Sequence, residues 1–155
     1  MAGPRGFRRV LLGLDGSPHS RRATLLLARL RPPRGGRVTC VRVVEPVRVP
    51  SMPLMPGTMR AQVTGQAAAL NRSRVSTARS QIDAAVTRLA RAGWKARGVV
   101  RTGVPLAELL AAARATRADL VVVGARGTGV VTHFLLGSVA EGVVKQSPVP
   151  VLVVK

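Results

Sequence analysis

Short runs of apolar residues alternate along this chain with longer segments that have the periodicity of a helix. Residues 10–14 and 119–124 form the clearest runs, and they are apolar at nearly every position. A strand without a polar face has to be covered on both sides, as the central strands of a parallel sheet are. The pattern therefore predicts an α/β protein.

The order of the remaining elements predicts one sheet. We expect strands at residues 10–14, 38–44, 95–101, 119–124 and 149–154. Helices should begin at Pro18, between residues 60 and 76, at Pro105 and at Ser138. Five strands that alternate with four helices imply a single open five-stranded parallel sheet with helices on both faces, joined by right-handed crossovers. A chain of 155 residues, 46% of them hydrophobic, suits one domain over residues 1–155.

The first helix has clear start and stop signals. Ser17 can cap it and Pro18 can occupy its first position, while the proline pair at 32–33 ends it. Its expected apolar face follows the spacing i, i+3, i+4, i+7 and consists of Ala23, Leu26, Leu27 and Leu30.

The segment after the second strand contains prolines 50, 53 and 56 and predicts a long loop at about residues 46–60. A loop of this length exceeds what a simple connection needs, so it should be either mobile or functional.

The chain is strongly basic, with 25 Lys+Arg against 6 Asp+Glu and a net charge of +19. These residues are scattered along the sequence, which fits either a polyanion-binding face or a solvated surface. Because the chain has no Tyr and one Trp, it lacks the stacking residues of RNA readers, and we expect nucleic-acid binding to be weak and non-specific. The single Cys40 and the absence of a long apolar run predict a cytoplasmic protein without a membrane partner.

Candidate binding residues follow the strands. In an open α/β sheet, ligands bind beyond the carboxyl ends of the strands, where the strand order reverses. Residues 15–17, 43–45 and 124–127 occupy these positions. The last group opens a loop that reaches Gly137 and Ser138 at the start of the final helix, whose free N–H groups favour a phosphate.

Gly124, Gly127, Gly137 and Ser138 follow the spacing G-x2-G-x9-G-[ST], and Asp15 ends the first strand. Together with segments 10–17, 103–105 and 150–154, they make nearly the whole chain resemble the nucleotide-binding branch of the universal stress protein family. The resemblance implies the adenine nucleotide alpha hydrolase-like, Rossmann-like strand order 3-2-1-4-5, a homodimer, and an ATP-binding regulatory module of the stress response. It further implies a downstream protein partner, and Mg²⁺ or Mn²⁺ held through the ATP phosphates.

The resemblance also assigns roles to individual residues. Asp15 and Val43 would face adenine, Gly137 and Ser138 would receive phosphates, and Ala140 stands where the family commonly has serine or threonine, so one hydroxyl donor is missing. The full set of expected ATP contacts is Gly13, Leu14, Asp15, Val43, Val123, Gly124, Arg126, Gly127, Gly137, Ser138, Val139 and Ala140.

Structural explanations remain open for several of these residues. Asp15 could stabilise the helix entrance, the glycines could serve turn geometry, and Arg126 could be a solvated loop residue. His19 and His133 are not at metal-ligand spacing.

Other functions of the same architecture remain as alternatives. A dehydrogenase could use Glu45 as its ribose-binding acid, but the first turn lacks G-x-G-x-x-G. Without paired carboxylates or a nucleophile with a matching base, the chain should hydrolyse ATP slowly at most. The alternative function is a dimeric interaction or polyanion-binding protein of the same fold that binds no nucleotide. In either case the apolar segment 149–154 should form the dimer edge.

Overall fold

The computed structural model describes residues 6–51, 53–128 and 136–155. The elements follow in the order β1 (Arg9–Leu14), α1 (Pro18–Arg29), β2 (Arg37–Val44), α2 (Gly57–Arg91), β3 (Lys95–Thr102), α3 (Pro105–Ala115), β4 (Leu120–Gly124), α4 (Ser138–Gln146) and β5 (Val151–Val154). All five strands are parallel and belong to one sheet in the order β3-β2-β1-β4-β5, which confirms the expected topology.

The two most apolar strands lie side by side at the centre of the sheet. β1 pairs with β4 from Val10↔Leu120 to Leu12↔Val122, as their sequences predict. Successive side chains of each strand point to opposite faces. Leu12 and Val122 therefore pack in a core under α1 and α2, whereas Leu11 and Val121 pack in a second core under α3 and α4.

The first helix buries Ala23 and Leu27 as expected, but the predicted face is wrong at Leu30. Leu30 is 47% exposed, because it lies at the C-cap with extended backbone and no longer follows helical spacing. Ser20 and Thr24 are buried instead. Their hydroxyls donate to the backbone carbonyls of Ser17 and Ser20, so their burial leaves no polar group unsatisfied.

The second helix is 35 residues long and begins at Gly57, so the last part of the predicted 46–60 loop is its first turn. Pro56 is the final helix-breaking residue, and the alanine-rich sequence after it favours a helix without being buried. The core contacts come from its second half, at Ala78, Ile82, Ala85 and Leu89. Asn71 fastens the preceding loop to the helix by accepting from the Val47 N–H at 2.8 Å and donating to the Val47 carbonyl at 3.1 Å.

The final strand is shorter than predicted. β5 begins at Val151, since Pro150 has no N–H to donate and the Ser147 hydroxyl bonds both backbone groups of Val149. The strand forms one edge of the sheet, and β3 forms the other.

The close packing of α2 on β3 at Gly98 provides a stability test. A β-carbon at Gly98 would overlap the γ2 methyl group of the buried Ile82. We expect Gly98→Ala to lower the free energy of unfolding by about 1–3 kcal/mol, because the core has to shift. Gly65→Ala is the matched control, since it adds the same methyl group to α2 in open space and should stabilise by up to about 1 kcal/mol. Urea unfolding measures both, and equal midpoints would contradict this packing.

Candidate functional site

A cleft of about 570 Å³ opens at the carboxyl ends of β1, β2 and β4. It forms here because α1 leaves β1 on one face of the sheet while α4 follows β4 on the other face, so the two chain segments diverge. The cleft is lined by every site residue expected from the sequence except Arg126. Val44 and Glu45, from the candidate segment 43–45, also line it. Further lining residues that the sequence analysis did not name are Arg42, Ser73, Arg74, Thr77, Pro105, Leu109 and Thr128.

Asp15 lies at the floor of the cleft and has two roles. Its Oδ1 accepts the N–H of Ser17 at 2.9 Å, so it does stabilise the entrance to α1, as the structural explanation proposed. Its Oδ2 faces the β4–α4 loop, where a β-carbon on Gly127 would lie 2.8 Å from it. One carboxylate oxygen therefore remains directed towards the cleft.

Ser17 connects the two chain segments that form the cleft. Its Oγ caps α1 by accepting the N–H of Ser20 at 3.1 Å, as predicted. The same oxygen donates to the backbone carbonyl of Arg126 at 3.0 Å. The sequence contained no signal for this second bond, because its acceptor is a main-chain atom 109 residues away.

The three glycines of the motif have different surroundings. A β-carbon on Gly124 would lie 2.7 Å from the Ser20 nitrogen and 2.9 Å from the His19 carbonyl carbon, so packing against α1 requires this glycine. At Gly137 the nearest atom would be 3.4 Å away, which is an ordinary contact. A side chain on Gly127 would therefore meet the Asp15 carboxylate and one on Gly137 the backbone of residues 125–127, whereas Gly124 is required by the packing of α1 on β4.

The N-terminus of α4 faces the cleft with Ser138, Val139 and Ala140. No side chain caps this helix, because its N-cap residue is Gly137. Its first N–H groups and the positive end of its dipole are suited to an anion.

Arg42 adds a positive charge that the sequence analysis did not assign to the site. It is half-buried at the end of β2, its Nη1 lies 3.5 Å from the Leu14 carbonyl, and its Nε has no hydrogen-bond partner among the described residues. Burial lowers the pKa of Arg42, and the nearby Asp15 carboxylate opposes this shift. The available signal was that Arg42 is the one charged residue inside an otherwise apolar run.

Arg74 forms part of the cleft wall on the side of α2. It extends from α2, and its Nη1 donates to the Glu45 carbonyl at 3.3 Å. This bond joins the helix to the end of β2, which explains why Ser73, Arg74 and Thr77 become part of the cleft wall.

Other candidate groups contribute little here. Cys40 is buried in the core under α1 and α2, and burial raises the pKa of its thiol to about 12. Within residues 6–51, 53–128 and 136–155, no group of three His, Cys, Asp or Glu side chains could hold a metal ion. His133 lies outside the described residues. Among the helices of those same ranges, none is long and apolar enough to cross a membrane.

Comparison with known proteins identifies the class. The model of the universal stress protein family matches residues 6–155. A Thermus aquaticus protein named "Universal stress protein in QAH/OAS sulfhydrylase 3'region" is 31% identical over 149 residues, covering 96% of this chain and 99% of that protein. The chain therefore belongs to the universal stress protein family.

Solved structures show the same fold at lower sequence identity. The structure of MJ0577, a protein of Methanocaldococcus jannaschii, has a TM-score of 0.80 at 23% identity and covers 96% of this chain and 95% of that one. A universal stress protein in complex with cAMP has a TM-score of 0.64 at 23% identity, with 96% of both chains covered. One from Archaeoglobus fulgidus in complex with dAMP has a TM-score of 0.60 at 18% identity and covers 95% and 96%.

The different surroundings of the glycines predict different effects of the same substitution. Gly124→Ala should lower the free energy of unfolding by about 1–3 kcal/mol, because its methyl group meets the backbone of α1. Gly137→Ala should stay within about 0.5 kcal/mol of the wild type, since its methyl group makes only ordinary contacts. Chemical denaturation of both variants checks this, and a larger loss in Gly137→Ala would contradict the assignment.

Proposed function

We propose that the chain is an ATP-binding regulatory module of the stress response, acting as a cytoplasmic homodimer in which residues 1–155 form one domain. The observation that carries this proposal is the combination, in one cleft, of the Val43 carbonyl, which lies beyond the end of the β1–β2 ladder, and the N-terminus of α4, which no described side chain caps. The adenine nucleotides bound by solved proteins of the same fold support this ligand class.

The end of β2 suits the base of the nucleotide. The Val44 carbonyl accepts from Gly103 on the β3 side, and successive residues of a strand direct their backbone groups to opposite neighbours. The backbone groups of Val43 therefore point towards β1, whose pairing with β2 stops at Leu14↔Arg42. In a parallel ladder this last pair bonds the Val43 N–H to the Leu14 carbonyl, so the Val43 carbonyl is the group left beyond the ladder. It matches the amino donor on an adenine edge.

The far side of the cleft suits the phosphates. Gly127 and Gly137 line the cleft without a side chain, and the N–H groups at the start of α4 would donate to phosphate oxygens. Ser138 would add a hydroxyl donor, whereas Ala140 cannot. Arg42 contributes positive charge to the same cleft.

The proposal assigns no catalytic residue. Mg²⁺ or Mn²⁺ bound to the ATP would neutralise part of the phosphate charge. Asp15 and the backbone of residues 137–140 would hold and orient the nucleotide. In this role the nucleotide state of the cleft is transmitted to a downstream protein partner.

Nucleotide affinity tests the phosphate assignment. Gly137→Val should abolish ATP binding, because its branched side chain would displace the backbone of residues 125–127, which a β-carbon at this position already approaches to 3.4–3.6 Å. Ser138→Ala should weaken binding by about 1–2 kcal/mol, the contribution of one hydrogen bond to a charged group. Ala140→Ser should strengthen binding, since it restores the missing hydroxyl at little added volume. Calorimetry measures all three.

Gly137→Ala is the matched control for this series, because it adds a smaller group at the same position. Wild-type protein that binds no ATP would favour the alternative, a nucleotide-free interaction or polyanion-binding protein. Unchanged affinity in Gly137→Val would disprove the placement of the phosphates.

Substitutions in β5 test the proposed dimer interface. Its four residues are all apolar and all partly exposed, and one side of the strand is unpaired in the sheet. We expect light scattering at tens of micromolar to detect a dimer, and Val151→Asp with Val153→Asp to make it monomeric. Val144→Asp on α4 places the same charge on another exposed apolar residue and should leave the dimer intact. A wild-type monomer, or a dimer that survives the β5 substitutions, would refute this interface.

A further inference from the structure

Ten of the 22 arginines that are scattered along the sequence lie at one end of the folded chain. In a parallel α/β sheet every strand begins, and every helix ends, at the edge opposite the ligand cleft. We call this surface the basic edge. It consists of eleven exposed residues, Arg8, Arg9, Arg29, Arg31, Arg34, Arg37, Arg88, Arg91, Lys95, Arg114 and Arg117.

Acidic residues are distributed in the opposite way. Asp15 and Glu45 line the cleft, and Glu108 and Glu141 lie in the first turns of α3 and α4, at the cleft end of the sheet. The sixth acidic residue, Asp83, is exposed partway along α2, and Asp119 is the single carboxylate that the described residues place at the basic edge. Positive charge is therefore least offset by carboxylates at the basic edge, although Arg42 and Arg74 also line the cleft.

The centre of the basic edge is a row of like charges. Arg9, Arg37 and Lys95 pair in register at the starts of β1, β2 and β3. Neighbouring strands are about 4.8 Å apart, and like charges directly opposite each other destabilise a sheet. Asp119 offsets the repulsion at the β1 end of this row, where its carboxylate lies 3.8 Å from the Arg9 Nε. The salt bridges of the described residues include neither Arg37 nor Lys95.

Helix dipoles account for only part of this surface. Arg29, Arg88, Arg91 and Arg114 lie in the last turns of their helices, where a cation is favourable for any helix. Arg34, Arg37 and Lys95 lie in a loop and at strand starts, where no helix dipole favours a cation.

Arg117 occupies a position that favours glycine. The turns after α2 and α3 have the same hydrogen bonds, from Trp94 and Ala118 back to Leu89 and Ala113. The turn after α2 has Gly93 at φ 93°, whereas the turn after α3 has Arg117 at φ 49°. A non-glycine residue is strained in this region. Arg117 is therefore less favourable for stability at this position than a glycine would be.

We propose that the basic edge binds the phosphate backbone of duplex nucleic acid without reading bases. A row of arginines across neighbouring strand starts offers planar donor pairs that match phosphate oxygens, and ten of the eleven residues are arginine. The helices meet the surface with their ends, so no amphipathic helix can lie flat on a lipid surface. Among the described residues, Phe7 is the single exposed aromatic side chain near the basic edge. One aromatic side chain is not enough to stack the bases of a single strand.

Matched charge variants test the proposal. The edge variant combines Arg37→Gln, Lys95→Gln and Arg117→Gly. The control variant combines Arg22→Gln, Arg72→Gln and Arg79→Gln, which removes the same charge from exposed positions outside the basic edge. Because Arg117→Gly relieves strain, the edge variant should fold at least as stably as the wild type, and thermal unfolding checks this.

Binding is measured by fluorescence anisotropy with a duplex of about 20 base pairs and arbitrary sequence, between 50 and 200 mM salt. The edge variant should bind at least ten-fold more weakly at 50 mM, and its plot of log K against log salt should be flatter by about 0.9 for each phosphate that the variant no longer neutralises. The control variant should stay within about three-fold of the wild type, and changing the duplex sequence should have no effect.

Equal losses in the two variants would overturn the proposal, since net charge alone would then explain binding. So would no binding by the wild type at 50 mM salt, preference for a single strand of the same length, or binding to vesicles of anionic lipid but not to the duplex. These outcomes do not depend on ATP, because the cleft lies at the opposite end of the sheet and neither variant changes it.

Discussion

The burial of β1 and β4 on both faces determines the rest of the architecture. Because neither strand has a polar face, helices must cover the sheet on both sides, and the chain has to leave these two adjacent strands in opposite directions. That divergence creates the cleft at one end of the sheet. The same alternation collects the helix ends and strand starts at the other end, so one constraint produces two surfaces of very different charge.

The sequence was sufficient for the features that depend on burial. The apolar runs of β1 and β4, the strand order implied by the family resemblance, and the start of α1 at Pro18 all agree with the structure. The start of α2 could not be found in this way, because residues 57–77 bury nothing and propensity alone does not mark a boundary. Leu30 was wrongly assigned to the core, since hydrophobic spacing cannot show that the backbone has already left the helix.

The residues of the cleft also divide into those that the sequence predicted and those that it did not. The glycine spacing and Asp15 directed attention to the correct ends of the strands, because ligand sites in this architecture depend on topology. Arg42 and the bond from Ser17 to the Arg126 carbonyl required coordinates, since each depends on a long-range approach between main-chain and side-chain atoms. Gly124 shows that one residue of a binding motif can be required by helix packing, so the motif by itself does not separate folding from binding.

The unequal burial of α2 has a consequence for the motions of the protein. Its first half carries Ser73, Arg74 and Thr77, which form one wall of the cleft, yet its buried residues begin only at Ala78. The bonds from Asn71 to Val47 and from Arg74 to Glu45 fasten this half to the loop and the end of β2. Local opening of this half exposes no core side chain, so it costs far less free energy than global unfolding. We therefore expect the amides of the cleft wall to exchange with solvent faster than those of the sheet, through local opening that leaves the sheet folded.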